Sequence, residues 1–148
     1  MENQKPPSSA SRVRILIVDD HPNTAATLAR AMTQLGPEIE VLSADSGERA
    51  LHLVQDRTVD LLITDMVMPG INGLELIEKM QAHPGGRPAF TALVTAFDVP
   101  GLKESARRLK VNEVIIKPVR PERICQLVAK AIEGLGHTPP PPARDAQP

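Results

Sequence analysis

The 148-residue chain contains no tryptophan and no tyrosine, and its two phenylalanines are Phe90 and Phe97. With so few rings it offers no stacking platform for single-stranded nucleic acid. It also lacks an excess of positive charge: 17 lysines and arginines face 18 acids, for a formal net charge of -1. The basic footprint of direct nucleic-acid binding is therefore absent. One cysteine, Cys125, excludes an internal disulfide and a cysteine-based zinc cluster, and fits a reducing compartment. No apolar run approaches membrane-spanning length, and neither end carries the charged start, apolar core and small-residue cleavage site of a secretion signal. These absences predict a cytoplasmic protein with no direct nucleic-acid contact and no membrane insertion.

What is present suffices for one ordinary domain with tails to spare. Residues 1–11 carry Pro6-Pro7-Ser8-Ser9 and residues 136–148 carry Pro139-Pro140-Pro141-Pro142. Neither stretch has periodic apolar residues, so both are expected to be disordered tails around a domain at 12–135. The proline run predicts extended polyproline II and reads as a solvated tail rather than a docking ligand.

Between the tails, strand-like apolar runs alternate with helical periodicity. Val13 to Val18 is apolar apart from Arg14 and ends on Asp19-Asp20-His21-Pro22. Pro22 opens a helix in which Ala25, Leu28, Ala29, Met32 and Leu35 recur at helical spacing until Gly36-Pro37. Glu40 to Ala44 is a second strand, and Ser46 caps a helix that turns Ala50, Leu51 and Val54 inward. A buried strand then runs from Val59 to Asp65, where Pro69-Gly70 follows. The helix after Asn72-Gly73 presents Leu74, Ile77 and Met80 and stops at His83-Pro84-Gly85-Gly86. Ala89 to Val94 is the fourth strand, finishing on Thr95, and Asp98 is expected to cap a weaker helix from about Pro100 to Leu109. Val114-Ile115-Ile116 is the fifth strand, ending on Lys117-Pro118, and Ile124, Leu127, Val128, Ala131 and Ile132 stripe a last helix from about Pro121 to Leu135. Five strands alternating with five helices predict an α/β fold with a doubly wound parallel sheet covered on both faces.

In such a sheet the C-terminal strand ends share one edge, where ligands bind. That edge would gather Asp19, Asp20, Asp65, Thr95 and Lys117. Clustered carboxylates repel one another unless a cation sits among them, and all-oxygen donors of this hardness favour Mg²⁺. The ion and Lys117 would neutralise a phosphoryl group, Thr95 would hydrogen-bond one of its oxygens, and Asp65 would attack phosphorus as a carboxylate nucleophile.

From Val13 to about Leu135 the chain resembles the receiver domains of response regulators in two-component signalling, chemotaxis receivers among them. The resemblance rests on Ile17-Val18-Asp19-Asp20-His21-Pro22, Ser46-Gly47-Glu48-Arg49-Ala50-Leu51, Asp65-Met66-Val67-Met68-Pro69-Gly70-Ile71-Asn72-Gly73-Leu74-Glu75-Leu76, Val94-Thr95-Ala96-Phe97 and Lys117-Pro118. It implies a flavodoxin-like (βα)5 sheet in the order 2-1-3-4-5. It further implies that Asp65 is the phospho-acceptor, that Asp19, Asp20, Asp65 and the backbone carbonyl of Val67 serve Mg²⁺, with Asp19 acting largely through water, and that Thr95 and Lys117 engage the phosphoryl group. The Lys117-Pro118 bond is expected to be cis. The implied function is a stand-alone phosphorelay switch, phosphorylated by a sensor histidine kinase or phosphotransfer protein and signalling by phosphorylation-dependent binding to a downstream protein. It would catalyse only its own phosphorylation and dephosphorylation.

Two positions depart from the family pattern. Val114 stands where an aromatic residue three before the lysine usually takes part in the switch. Lys110-Val111 replaces the glycine that commonly ends the fourth helix and best tolerates a left-handed backbone. Both departures fall on the family's output side. A degenerate receiver acting only as an interaction module is the alternative reading. An Asp-nucleophile phosphatase of the haloacid-dehalogenase kind fits less well, since it would pair two acids one residue apart after the first strand, whereas Asp19 and Asp20 are adjacent and the acceptor lies on the third. His21 reads as a partly exposed loop residue, since hard Mg²⁺ prefers oxygen. Cys125, Met66 and Met68 read as packing residues, and Lys103, Arg107 and Lys110, with Arg108 nearby, as a solvated face. Val67 and Phe97 are expected to flank the acceptor and slow hydrolysis of its phosphate.

Overall fold

The computed structural model describes residues 13–83 and 87–135, so both tails and the Pro84-Gly85-Gly86 stop lie outside the described residues. Five strands form the sheet: β1 (Val13–Val18), β2 (Ile39–Ala44), β3 (Leu61–Asp65), β4 (Phe90–Thr95) and β5 (Glu113–Ile116). All pairs are parallel, in the order β2-β1-β3-β4-β5, as the resemblance implied. The register sets Val18 beside Thr64 and Asp65 beside Val94, which brings the strand ends to one edge.

Successive residues of a strand face opposite sides, and here both sides are buried. Ile15, Ile17, Leu61, Ile63, Ala92 and Val94 point to one layer, where helices α1 (Pro22–Met32) and α5 (Pro121–Gly134) cover them with Leu28, Met32, Ile124 and Val128. Leu16, Val18, Leu62 and Leu93 point to the other, covered by α2 (Gly47–Leu53), α3 (Gly73–Gln81) and α4 (Leu102–Arg108) through Ala50, Leu76, Ile77 and Leu102. Burial of each large aliphatic side chain stabilises by about 1.5–3 kcal/mol. The central strands carry Ile15, Leu16, Ile17, Leu61, Leu62 and Ile63, all but fully buried, so the acid-bearing ends are fixed by the best-packed part of the molecule.

Helix starts follow the sequence in most cases. The Ser46 hydroxyl accepts from Arg49 N at 3.1 Å. Asn72 and Glu75 form a reciprocal capping box, with Glu75 N to Asn72 Oδ1 at 2.9 Å and Asn72 N to Glu75 Oε1 at 2.8 Å. The structure corrects several bounds: β3 starts at Leu61 rather than Val59, β4 at Phe90 rather than Ala89 and β5 at Glu113 rather than Val114. Helix α1 stops at Met32 and tightens into a 3-10 turn, Thr33–Leu35, before Gly36, so Leu35 packs against the α1/α5 layer from the turn rather than from the helix. Strand β2 starts one residue early, at Ile39. In α3 the buried residues are Leu76, Ile77 and Met80, and Leu74 is only half-buried. Helix α4 begins later than expected, after Gly101, whose φ of +85° no Asp98 cap could supply; Asp98 instead faces Lys103 Nζ at 3.6 Å. Helix α5 stops at Gly134, with Leu135 as its C-cap.

At the other end of α4 the missing glycine is evident. Lys110 carries the left-handed turn itself, at φ +62°. Its amide donates to Arg107 O at 3.0 Å and Val111 N donates to Ala106 O at 2.9 Å, the bond pair of a Schellman motif closed by a lysine.

Candidate functional site

The β1 end is held by Asp19 N donating to Ala44 O at 3.1 Å. Asp19 is buried, and its Oδ1 accepts the His21 amide at 2.8 Å, which folds the chain back over the strand end before Pro22 opens α1. The β3 end is held by Met66 N to Val94 O at 2.7 Å and Gly73 N to Met66 O at 2.8 Å. A Cβ on Gly73 would stand 2.5 Å from the Asp65 carbonyl and 2.7 Å from Leu93 Cδ1, so α3 packs this close only because residue 73 has no side chain. At β5, Lys117 N donates to Thr95 O at 2.7 Å, and the Lys117-Pro118 bond is cis, as expected.

These anchors place Lys117 Nζ 3.0 Å from Asp65 Oδ1. Burial, reinforced by the nearby charges of Asp19 and Asp20, raises the Asp65 pKa above its usual value, and the Lys117 hydrogen bond and charge act against that rise. Asp19, Asp20, His21 and Asp65 each offer one ligand atom, and these atoms lie within 4.8 Å of one another. Asp20 Oδ1 is buried and, among the described residues, has no hydrogen-bond partner; the His21 ring nitrogen stands 3.3 Å away without hydrogen-bond geometry. A buried carboxylate oxygen left unpartnered is costly, and a cation removes that cost, so the donor set fits a divalent ion. A cavity of about 380 Å³ opens beside Asp19, Asp65 and Lys117, walled by Ile17, Ile63, Val94 and Ile124.

The model of the response regulator receiver domain matches residues 15–129. The chain belongs to the receiver family. A probable chemotaxis protein CheY of Rhizobium etli is 30% identical over 117 residues, which cover 79% of this receiver and 90% of that protein. The virulence sensor protein BvgS of Bordetella pertussis is 31% identical over 141 residues, 92% of this chain but 11% of the sensor. Among solved structures, the CheY-like receiver domain protein of Methanospirillum hungatei superposes with a TM-score of 0.74 at 23% identity, covering 84% of this chain and 97% of that one, a likeness of fold. The receiver is thus a module of two-component or phosphorelay signalling, and among the described residues no helix is long and apolar enough to cross a membrane.

Four of the residues singled out in the sequence, Asp19, Asp20, Asp65 and Lys117, converge in this receiver. Thr95 is buried at the same edge, but its hydroxyl is engaged elsewhere, donating to Phe97 O at 3.1 Å and accepting Phe97 N at 3.2 Å. The alternation of β4 explains this: Thr95 shares a face with Leu93, out of phase with Asp65, which lies with Ile63 on the other. Val67 and Phe97, which follow the ends of β3 and β4, are exposed. Val114 is half-buried against the α2/α3/α4 layer. Met68 is buried, Met66 packs beside it, and burial raises the Cys125 thiol pKa, in keeping with packing roles. His21 is what the sequence reading undervalued: its side chain is 64% exposed, yet its ring nitrogen Nδ1 lies 3.1 Å from Asp19 Oδ1. The signal was its place between the acid pair and Pro22.

Proposed function

We propose that this receiver accepts a phosphoryl group on Asp65 from a sensor histidine kinase or phosphotransfer protein, with Mg²⁺ held by Asp19, Asp20, Asp65 and the Val67 carbonyl, and signals through altered binding to a downstream protein. The observation that carries this reading is the buried Asp65 carboxylate set between Lys117 Nζ, 3.0 Å away, and the acid pair Asp19 and Asp20. An Asp65 oxygen attacks phosphorus, the new O–P bond forms as the P–N bond to the donor histidine breaks, and the departing ring nitrogen takes the electron pair while the other ring nitrogen holds the proton, so the imidazole leaves neutral. When bound, Mg²⁺ would supply positive charge between the carboxylates and the phosphoryl oxygens. Lys117 neutralises the anion from the other side. Burial at the strand end keeps Asp65 from being hydrated as a surface carboxylate is, which favours attack. Among the described residues the Val67 carbonyl accepts no hydrogen bond, which leaves it available as a ligand.

The new anionic oxygens would then draw the Thr95 hydroxyl from the Phe97 backbone, giving the two states the differing contacts that any switch requires. Similarity to a segment within a sensor protein supports a phosphorelay setting. Intact-mass measurement after incubation with Mg²⁺ and acetyl phosphate, or with a phosphorylated histidine kinase, tests the acceptor: wild type should gain one phosphoryl group and Asp65→Asn none. An unmodified wild type under both conditions would leave the interaction-module reading in its place.

A further inference from the structure

We propose that His21 is a nitrogen ligand of the divalent ion at this site, and that the site therefore takes first-row transition ions such as Mn²⁺, Co²⁺ and Ni²⁺ in preference to an all-oxygen site's Mg²⁺. The proposal rests on the metal-assisted acceptor reading above and adds a ligand and a selectivity to it. The backbone of His21 is pinned at both ends, its amide on Asp19 Oδ1 at 2.8 Å and its carbonyl accepting Ala25 N at 3.1 Å. As N-cap of α1 its side chain makes no capping bond, so the imidazole has no duty to the helix. The ring instead turns Nδ1 onto the acids, hydrogen-bonded to Asp19 Oδ1 at 3.1 Å and 3.3 Å from Asp20 Oδ1, the buried oxygen that lacks a hydrogen bond, so a bound ion would take the place of the Nδ1 proton. Two ligands at about 2.1 Å from one ion stand at most about 4.2 Å apart. The ligand atoms of Asp19, Asp20, His21 and Asp65 already fall within 4.8 Å of one another, so a small closure brings all four onto one centre.

The donor chemistry decides which ion gains. Mg²⁺ is hard, prefers oxygen and gives up water reluctantly, so imidazole adds little to its binding. Imidazole suits later divalent ions, whose affinities rise from Mn²⁺ through Co²⁺ to Ni²⁺. Replacing His21 should therefore alter selectivity more than it alters binding as such.

Pulsed electron paramagnetic resonance of the Mn²⁺-loaded full chain reads the bond directly: wild type should show nitrogen modulation from a coordinated imidazole, and His21→Phe should lose it. Calorimetric titration should show the ratio of Ni²⁺ to Mg²⁺ affinity falling about tenfold in His21→Phe, the lower end of what losing even a supporting partner costs a metal site. His21→Asn, which suits an N-cap, serves as a second variant, and the wild-type spectrum decides the matter where neither variant folds. Bound Mn²⁺ without nitrogen coupling, or an unchanged ratio in a folded variant, overturns this proposal and leaves the acceptor reading standing. Wild type that binds no divalent ion overturns both.

Discussion

The ends of β1 and β3 and the segment from Thr95 to Gly101 border the same edge of the sheet, and α4 then runs away from it to Lys110, yet the chain anchors the two stretches very differently. On the acid side, Asp19, Met66 and Gly73 each place a backbone donor on a neighbouring element, α3 begins with a full capping box, and the strands beneath are the most deeply buried in the molecule. On the other side, the seven-residue α4 starts from a left-handed Gly101 without a side-chain cap and closes on a left-handed lysine. Phe97 and Val99, just ahead of Gly101, are exposed. Few buried contacts and strained or uncapped ends mark regions of low local stability. On the proposed function, chemistry and motion fall to different stretches: the groups that would hold a fixed geometry sit over the packed strands, and the stretch that would move for Thr95 is held lightly.

The largest expected effect is on the fixed side. Asp65→Asn should abolish labelling and, in metal-free buffer, should also melt higher than wild type at neutral pH. The raised pKa means that the folded state holds the Asp65 proton more tightly than the unfolded chain does. The stability this group contributes is fully present below its ordinary value of 3.8 and is lost as the pH rises through the raised folded value. Lys117, Asp19, Asp20 and His21 are the charged or titratable groups around it. The advantage of the variant should shrink as the pH falls toward 3.8; melting curves that differ by a constant amount at every pH would contradict the linkage.

Two glycines separate the regions more finely. Gly73→Ala forces a methyl against the Asp65 carbonyl and Leu93, so it should cost about 1–3 kcal/mol and slow phosphorylation as well. Gly101→Ala meets open space but keeps φ at +85°, and should cost about 1–2 kcal/mol with labelling kept. Denaturant midpoints and labelling rates measured together check the pair, and a reversed pattern of labelling breaks the contrast. A smaller change of opposite sign is expected from Lys110→Gly. It relieves about 1–2 kcal/mol of left-handed strain against about 0.5–1 kcal/mol of lost glycine entropy, for a gain of up to about 1.5 kcal/mol. Guanidinium unfolding would show it, and a loss of stability would mean that the lysine stem packs usefully. The smallest effect should come from Val114→Ala. Half-buried and β-branched, this residue has little freedom to swing. NMR shifts on adding beryllofluoride should survive Val114→Ala and diminish in Phe97→Ala, and the opposite outcome would place the relay on β5.

The fold was legible because burial on both faces leaves apolar runs, and β1, β3, β4 and β5 each stop on or just before a polar residue of the candidate site. Asp65, Lys117 and the acid pair could be read that way, and Lys110 could be foreseen as a defect from the glycine it replaces. Gly101 could not, because a left-handed helix start leaves no periodic signal and Asp98 offers the more familiar cap. Leu74 was preferred over Leu76 because helical spacing alone does not say which edge of a stripe points at the sheet. The orientation of the His21 ring depends on the Asp19 carboxylate accepting the amide two residues on, a tertiary detail that residue types do not encode.

The phase of β4 carries one more consequence. Asp65 belongs to the layer of α1 and α5, whereas Thr95, following Leu93, belongs to the layer of α2, α3 and α4. On the proposed function, the mark would be written on one side of the sheet and read on the other. The sheet lies between the two layers, so on the proposed function a cavity cut under α1, such as Leu28→Ala, should change how fast the mark is made or lost, and one under α4, such as Leu102→Ala, how strongly it is reported. Residues without shared partners combine additively, so the double variant should show both defects at the sum of their separate sizes, as two instruments joined by one spine.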